Sequence, residues 1–504
     1  MTLLLLFSTA GSATLGVVTA DFVYGAGIKR AEFVYLGLED TDNDVQPAKV
    51  EGLAKYRIAS ATSTGVQGRT RVMLGLASGV LNVWELSAWT SYSLNTDAHL
   101  SNNAAYYWAF TFQQKEYFGD GISQIVYDPR LNTLVEWESG GSGAMPEKCA
   151  LAAVYRGRVV LARPADNPTL WYMSAMDDAG NWDFYPATPS ADQAVFGSLT
   201  TATKTPDIIN TLIPFKDDYM LFGCDKSIWI LRGDPAGGGE FDRITDTIGM
   251  AFGAPWCKDP TGILYFFGSK GGVYRMIGDS QPQHLSDALD GQDVSIQARL
   301  RDVDFGSFRI ELVWDFERQG LIVLQIPFAE DAAATPLSWF WDVKNNAWCE
   351  DQPGSTVLQP YAVWTADGDQ AADRRVLYGC YDGFIRELDS AALDDDGVAI
   401  DSYVTIGPIA AGGDSEIVLN RLRAILASEH SGCDFAVYSS DDPAQKGSVV
   451  KSGRFGPGMN PRLSVNRRGA FMWVRLRNPF AAQRWALEEL QADVVKAGMR
   501  RVRA

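Results

Sequence analysis

The feature that most constrains the fold of this chain is a short phrase that recurs along it. The phrase consists of a hydrophobic residue followed by a glycine, then a few turn residues, then a second apolar run. In its clearest copies the glycine is Gly75, Gly119, Gly223, Gly268 or Gly379. The apolar runs are rich in β-branched and aromatic residues, which suit a pleated sheet, and glycine accepts the positive φ of tight hairpin turns. Each copy therefore predicts a strand, a tight turn and a second strand.

The spacing of these copies predicts the architecture. The glycines stand 44 residues apart between positions 75 and 119 and 45 apart between positions 223 and 268, and the gaps of 104 and 111 residues would each hold one more unit. Residues 154–173 and 321–341 supply candidate hairpins for those gaps. A period of about 40 to 50 residues is typical of propeller blades. The sequence predicts an all-β fold, a β-propeller of six or seven blade-like units, with two stacked sheets as the alternative.

A second phrase also indicates hairpins: an aromatic residue and an aspartate that precede a polar turn. It occurs as Tyr127-Asp128 and again as Trp341-Asp342. Aspartate bonds its own backbone in such turns, while flanking aromatic residues pair across the strands. Helical signal is scarce, and the best helix prediction covers residues 286–300, with Ser286 as its N-cap.

Charge divides the chain into parts of opposite sign. Of its 504 residues, 62 are acidic and 44 are basic, which gives a net charge of -18. Residues 401–504 hold 15 basic and 10 acidic residues, whereas residues 1–400 carry a net charge of -23. Such a shift marks a separate module, and the acidic run 394–396 before it is interpreted as a linker. We expect an N-terminal β segment over residues 1–60, a propeller-like body over 61–400 and a small basic β domain over 401–504.

Composition disfavours several protein classes. The six cysteines lie at least 31 residues apart, so no CxxC pair exists and buried, reduced thiols are expected. No apolar run approaches the ~20 residues of a membrane-spanning helix, and residues 1–7 lack the positive charge that begins a secretory signal. The negative net charge opposes the wrapping of a nucleic acid and binding to an anionic membrane.

Catalytic and metal-binding signatures are weak. The three histidines are far apart, and no nucleophile elbow, zinc-protease, P-loop or dinucleotide motif occurs. We therefore expect no enzymatic activity, no cofactor and no metal site. Val45 stands where a calcium loop needs glycine, although four carboxylates match positions 1, 3, 5 and 12 of that loop: Asp40, Asp42, Asp44 and Glu51. We interpret them as a solvated acidic loop and leave cation binding open.

One segment loosely resembles the Asp-box turn of sialidase-like propellers. Residues 174–182 contain Asp177, Gly180 and Trp182, but their spacing departs from that motif. A plain β-turn capped by Trp182 is predicted instead.

Five arginines of the basic module are the candidate binding residues: Arg467, Arg468, Arg500, Arg501 and Arg503. A guanidinium holds a carboxylate or a phosphate through two parallel hydrogen bonds. Because these residues belong to a positive module attached to an acidic body, we interpret them as contacts to carboxylates of an adjacent subunit or of another protein. Phosphate binding and a solvated tail are the alternatives.

Two parts of the chain resemble a known family. In the body the resemblance rests on residues 155–158, 167–168, 171, 174–182, 222–223, 229, 232, 273–274 and 285–286. Near the end it rests on residues 453–454, 467–469, 474–476, 493–494 and 498–501. These segments resemble the propeller proteins of phage tails, known as tail nozzle, tail hub or packaged-DNA stabilisation proteins. The resemblance covers roughly residues 150–290 and 415–504.

The resemblance implies a structural virion protein of a phage tail, made in the host cytoplasm. Proteins of this family form a ring, commonly of six copies, below the portal and adaptor, and the ring retains packaged double-stranded DNA and conducts it on ejection. That role requires no sequence-specific DNA binding, and we expect the DNA-facing surface to be acidic or neutral. The rival interpretations are a carbohydrate-binding or glycan-hydrolysing propeller and a propeller that recruits other proteins.

Overall fold

The computed structural model describes residues 106–499 apart from short internal gaps, and before residue 106 it describes residue 100 and the strands given below. The gaps are residues 129–130, 132, 200–205, 286–299, 301–302, 329–337, 354, 356–357, 367–373, 381–383, 390–391, 412–414 and 444.

Nearly all regular structure in the described residues is β, and most of it forms seven four-stranded antiparallel blades, six of them separate sheets and one part of a nine-stranded sheet. Four short strands come first: β1 (Thr19–Val23), β2 (Ile28–Arg30), β3 (Gly37–Glu39) and β4 (Val45–Pro47). Blade 1 then holds β5 (Val50–Ala61), β6 (Gln67–Ala77), β7 (Val80–Glu85) and β8 (Ala88–Tyr92). Blade 2 holds β9 (Trp108–Phe112), β10 (Lys115–Gly119), β11 (Gln124–Asp128) and β12 (Thr133–Glu136).

Blade 3 is interleaved with a small parallel pair. The strands in this region are β13 (Ser142–Gly143), β14 (Cys149–Tyr155), β15 (Arg158–Pro164), β16 (Leu170–Met173), β17 (Asn181–Trp182) and β18 (Val195–Ser198). Of these, β14, β15, β16 and β18 form the blade, whereas β13 pairs with β17 and so ties the end of blade 2 to blade 3.

Blades 4 to 7 follow the same four-stranded plan. Blade 4 holds β19 (Ile209–Lys216), β20 (Tyr219–Cys224), β21 (Ile228–Arg232) and, after a 3-10 turn (Pro235–Gly237), β22 (Glu240–Thr245). Blade 5 holds β23 (Trp256–Lys258), β24 (Leu264–Phe267), β25 (Val273–Met276) and β26 (Gln283–His284). Blade 6 holds β27 (Phe308–Asp315), β28 (Gly320–Pro327), β29 (Trp339–Asp342) and β30 (Ala347–Glu350), and blade 7 begins with β31 (Pro360–Ala366), β32 (Arg375–Cys380) and β33 (Ile385–Leu388).

These sheets close into a ring. The first strands of neighbouring blades lie side by side, except in blades 4 and 5, which share a core cluster, and β31 of blade 7 packs against β5 of blade 1. The fourth strand of blade 7 is β2, which pairs antiparallel with β33, so the beginning of the chain completes the last blade. The fold is a seven-bladed β-propeller, which confirms the predicted fold class. The domain boundary predicted near residue 60 falls within β5.

The five hairpins predicted from the repeated phrase and the two candidates placed in its gaps are the second and third strands of the seven blades. The reason given for the glycines, however, was wrong, because neither Gly119 nor Gly223 has a positive φ. A Cβ at Gly119 would lie 2.0 Å from the Trp108 ring, and one at Gly223 would lie 2.6 Å from the Thr211 methyl carbon. The glycines recur because side chains of the blade interior pack directly on the second strand.

We therefore expect Gly119→Ala to destabilise blade 2 by about 1 to 3 kcal/mol, the usual cost of an overpacked core. The matched control is Gly237→Ala, where the nearest atom to a new Cβ lies 3.9 Å away. Chemical denaturation followed by tryptophan fluorescence measures both variants. Equal midpoints for the two would contradict the packing role of Gly119.

The aspartate phrases form the turns that the sequence predicts. Asp342 Oδ1 accepts a hydrogen bond from the Asn345 backbone at 3.1 Å, and the paired Trp341 and Trp348 rings stack at 6.1 Å. In the segment that resembles an Asp box, the buried Trp182 donates its ring N–H to the Ala179 carbonyl at 3.0 Å. That segment is thus a turn capped by Trp182.

Side chains from several blades meet near the propeller axis. Tyr106, just before β9, contacts Phe252 in the loop between blades 4 and 5, with ring centroids 5.8 Å apart. Arg163 at the end of β15 lies 4.5 Å over the same Phe252 ring. Burial and then the Glu311 charge of blade 6 raise the pKa of Tyr106. Blade 2 does not adjoin the loop between blades 4 and 5, so these contacts join parts of the propeller that are not neighbours.

The remaining strands form a β-sandwich. They are β34 (Ser402–Ile409), β35 (Ser415–Leu426), β36 (Cys433–Ser440), β37 (Ser448–Phe455), β38 (Gly458–Gly469), β39 (Phe471–Asn478) and β40 (Leu487–Met499). One sheet has the order β34-β39-β36-β37 and the other β38-β35-β40, with a shared apolar core that includes Leu419, Leu422 and Phe435. The strand β1 pairs with β34 and also with β30, so it joins the sandwich to blade 6.

The acidic run predicted as a linker is fixed to blade 7. Asp395 is buried, and Asp396 accepts a hydrogen bond from the buried Arg386 at 2.9 Å. Two other predictions lie outside the described residues, namely the helix over 286–300, of which only Leu300 is described, and the carboxylates Asp40, Asp42 and Asp44. No helix among the described residues has the length and apolarity needed to cross a membrane.

Candidate functional site

The candidate site is the edge of the sandwich where β37 and β38 run side by side. We call it the basic edge, and its residues are Lys451, Arg454, Arg462, Arg467 and Arg468. The two strands contain no acidic residue, and between Asp442 and Glu488 the chain has nine basic residues and no acidic one. The basic edge is therefore a concentrated positive surface on an acidic protein.

Core packing on one side of β38 presents most of its charges to solvent. Val465 is buried and Leu463 packs against the sandwich core, whereas Arg462, Arg467 and Arg468 are exposed. The register of β38 shifts against β35 between Arg467 and Ser464, and Asn466 has a φ of 49°. This β-bulge re-aims the arginines that follow it.

Arg467 links the two sheets of the sandwich. It lies opposite the buried Leu419, and its Nε donates to the Val450 carbonyl of β37 at 3.0 Å. Its other guanidinium nitrogens remain at the surface. Arg467 therefore fixes the geometry of the basic edge while it keeps its charge exposed.

Arg468 points to the opposite face of the sheet, because successive side chains alternate along a strand. Its guanidinium forms an ion pair with Glu416 of the adjacent β35. The two neighbouring arginines thus do not form a single fork, and the charge of Arg468 already has a partner within the chain. Arg500, Arg501 and Arg503 lie outside the described residues.

Three residues of the basic edge did not figure in the sequence prediction: Lys451, Arg454 and Arg462. Arg454 lies 3.6 Å from the Asp434 carboxylate and 4.7 Å over the Phe480 ring. Within the described part of the chain, no carboxylate lies within ion-pair distance of Lys451, Arg462 or Arg467. The long stretch without an acidic residue was the sequence signal that could have identified this edge.

Other arginines of the sandwich are engaged with their own chain. Arg477 bonds both oxygens of Asp401, at 2.5 and 2.7 Å, and these hydrogen bonds raise the pKa of its guanidinium. Arg475 lies 3.8 Å over the Tyr403 ring. Stacking of arginine on an aromatic ring is therefore a recurrent contact in this domain.

The described residues include no group of three or more His, Cys, Asp or Glu side chains placed to hold a metal ion. All six cysteines are free thiols, and four of them are buried. Burial raises the pKa of Cys149 and of Cys433 to about 12, so both remain protonated at neutral pH.

No protein-family model matches the sequence, and no curated protein matches it. Among solved structures, the chain is similar to a catalytically inactive virginiamycin B lyase from Staphylococcus aureus with quinupristin. The two chains are 10% identical with a TM-score of 0.41, and the match covers 70% of this chain and 97% of the lyase. It is also similar to YCF48 bound to D1 peptide, at 10% identity and a TM-score of 0.39, over 72% of this chain and 97% of that one.

Proposed function

We propose that this chain is a structural protein of a phage tail, made in the host cytoplasm and incorporated into the virion. Its copies assemble into a ring, hexameric as the family resemblance implies, below the portal and adaptor. The ring retains packaged DNA and conducts it on ejection, without catalysis and without reading its sequence. The observation that carries this proposal is the basic edge, which gives an acidic chain a surface complementary to further copies of itself.

The electrostatic argument starts from repulsion between copies. Bodies that each carry -23 over residues 1–400 repel one another, so a ring needs local attraction between unlike surfaces. Lys451, Arg462 and Arg467 have no carboxylate partner among the described residues and can bind one on a neighbour. Arginine suits this role because its planar fork holds a carboxylate bidentately and is weakly hydrated.

In this proposal the DNA passes through the opening between copies of the chain and not through the propeller of one copy. A surface with excess carboxylates does not neutralise phosphates, so the duplex is held by confinement and slides freely. Binding of DNA by the isolated protein at low salt is accordingly expected to be weak.

Size-exclusion chromatography with light scattering tests the proposal. We expect the purified chain to form a ring or larger oligomer, and we expect Arg462→Glu with Arg467→Glu to convert it to folded monomers. The control applies the same charge reversal on the propeller, Arg243→Glu with Arg275→Glu, and should leave the assembly intact. A wild-type chain that stays monomeric at all concentrations, or tight salt-dependent DNA binding by the basic edge, would overturn the proposal.

A further inference from the structure

Blade 3 carries an aromatic surface with two exposed outer rings and two partly buried rings that pack against the propeller core. Tyr185 is 79% exposed and Phe196 of β18 is 43% exposed, and their ring centroids lie 6.1 Å apart. Two further rings pack against Phe196: the Phe184 centroid lies 5.1 Å from the Phe196 centroid, and the Tyr172 centroid lies 6.1 Å from it. We call these four residues the aromatic platform. Large exposed rings that contact one another are characteristic of binding surfaces.

The loop over residues 183–194, which carries two rings of the platform, is held rigidly by a buried arginine. Arg158 donates to the carbonyls of Ala191 and Gln193 at 2.7 and 2.6 Å, and to the Asp234 carboxylate of blade 4 at 2.9 Å. Within the loop, the Tyr185 backbone N–H donates to the Asp183 carboxylate at 3.0 Å. The platform is therefore preorganised, which lowers the entropic cost of binding.

The surroundings of the aromatic platform are acidic. Between Arg163 and Lys204 the chain has five aspartates and no lysine or arginine. Asp183 and Asp192 stand on the loop itself, and neither forms an ion pair with any described residue. Aromatic faces beside carboxylates without an ion-pair partner favour a cation, and above all a guanidinium, which stacks on the ring and pairs with the carboxylate.

We infer that the aromatic platform binds the basic edge of a second copy of this chain. The inference rests on the proposed ring assembly and names the two surfaces that would meet in it. The contact joins Arg462 and Arg467, which have no carboxylate partner among the described residues, to Asp183 and Asp192, which form no ion pair with a described residue. Arg454 over Phe480 and Arg475 over Tyr403 show that the sandwich already uses the same stacking.

The positions of the two surfaces favour contact between copies. The sandwich is joined to blade 6 through β1, and β37 is its strand farthest from that junction. Blade 3 is three blades away from blade 6 in the seven-bladed ring, so the aromatic platform and the junction with the sandwich lie on different parts of the propeller. A contact between different patches on successive copies is heterologous, and such contacts form a closed ring when the rotation between copies closes.

Two variants and their mixture test the inference by sedimentation velocity. The platform variant is Tyr185→Ala with Phe196→Thr, and the edge variant is Arg462→Glu with Arg467→Glu. We expect each alone to weaken self-association at least tenfold. Mixed, they should form heterodimers and nothing larger, because each variant keeps the surface that the other lacks. Ile277→Ala, at a residue 54% exposed on blade 5, is the control and should assemble as the wild type.

The outcomes separate this inference from the proposed function. If the edge variant is monomeric while the platform variant forms the normal ring, the ring assembly stands and the aromatic platform is not the receiving surface. If the wild type never associates, both proposals fail. If the wild type binds glycans on an array and Tyr185→Ala abolishes that binding, the platform is a carbohydrate site and the inference is overturned.

Discussion

Replacement of Arg158 by alanine is expected to lower the stability of the propeller by about 3 to 5 kcal/mol, the usual cost of removing one partner of a buried ion pair. The side chain is fully buried, and Asp234 would be left without its cationic partner. The carbonyls of Ser174, Ala191 and Gln193 would lose their donor as well. A buried acceptor without a partner costs more than an exposed one, because no water replaces the lost hydrogen bond.

A matched control lies two residues away. Arg156 forms an ion pair with Asp218, but both side chains are exposed to solvent. Exposed pairs contribute about 1 kcal/mol or less, so Arg156→Ala is expected to change stability little. Urea denaturation followed by tryptophan fluorescence compares the two variants. Equal losses for both would mean that the buried network does not hold blades 3 and 4 together.

Arg158→Ala should also loosen the loop that presents the aromatic platform. Hydrogen exchange of the backbone amides of Met176 and Gln193 is expected to accelerate, because they donate to the Asp192 and Ser190 carbonyls of the loop that this arginine anchors. Arg158→Lys keeps the positive charge and three hydrogen-bond donors but lacks the planar fork of arginine. It should therefore accelerate the exchange of these amides less than Arg158→Ala does.

The repeated phrase carried most of the information on the fold. It identified five hairpins directly, because five blades place a glycine near the end of the second strand, before the turn, and its spacing located the hairpins of blades 3 and 6. It did not identify β2, since a strand of three residues has no periodicity and pairs with β33 more than 350 positions away. Closure of the ring is a long-range property, and local patterns do not specify it.

The candidate site was harder to predict than the fold. The strands β37 and β38 are mostly exposed, so they lack the alternation that reveals a strand, and Pro461 further weakens the signal. Sequence proximity suggested that Arg467 and Arg468 act together, but strand alternation places them on opposite faces. Exposure of Tyr185 has no sequence signature, because its neighbours Phe184 and Trp182 are of the same class and are more buried.

The stability of blade 2 is expected to fall as the pH rises, because of one buried carboxyl. Glu116 is 2% exposed on β10 and accepts a hydrogen bond from the Thr111 hydroxyl at 2.5 Å. Burial raises its pKa from 4.5 to about 8, and the Thr111 hydrogen bond only partly opposes this shift. Because the folded-state pKa is above the unfolded value, the protonated form stabilises the fold. That contribution is complete below pH 4.5 and is lost as the pH rises to about 8.

Glu116→Gln is the variant that isolates this group. Glutamine keeps the size and the hydrogen bond without the ionisable proton, so it should raise stability at pH 8 by more than about 1 kcal/mol and by up to about 4. Below pH 4.5 the two proteins should have similar stability. Glu136→Gln, an exposed position on β12 of the same blade, is the control and should follow the wild type at every pH. A Glu116→Gln protein as pH-sensitive as the wild type between pH 5 and 8 would show that another group carries the dependence.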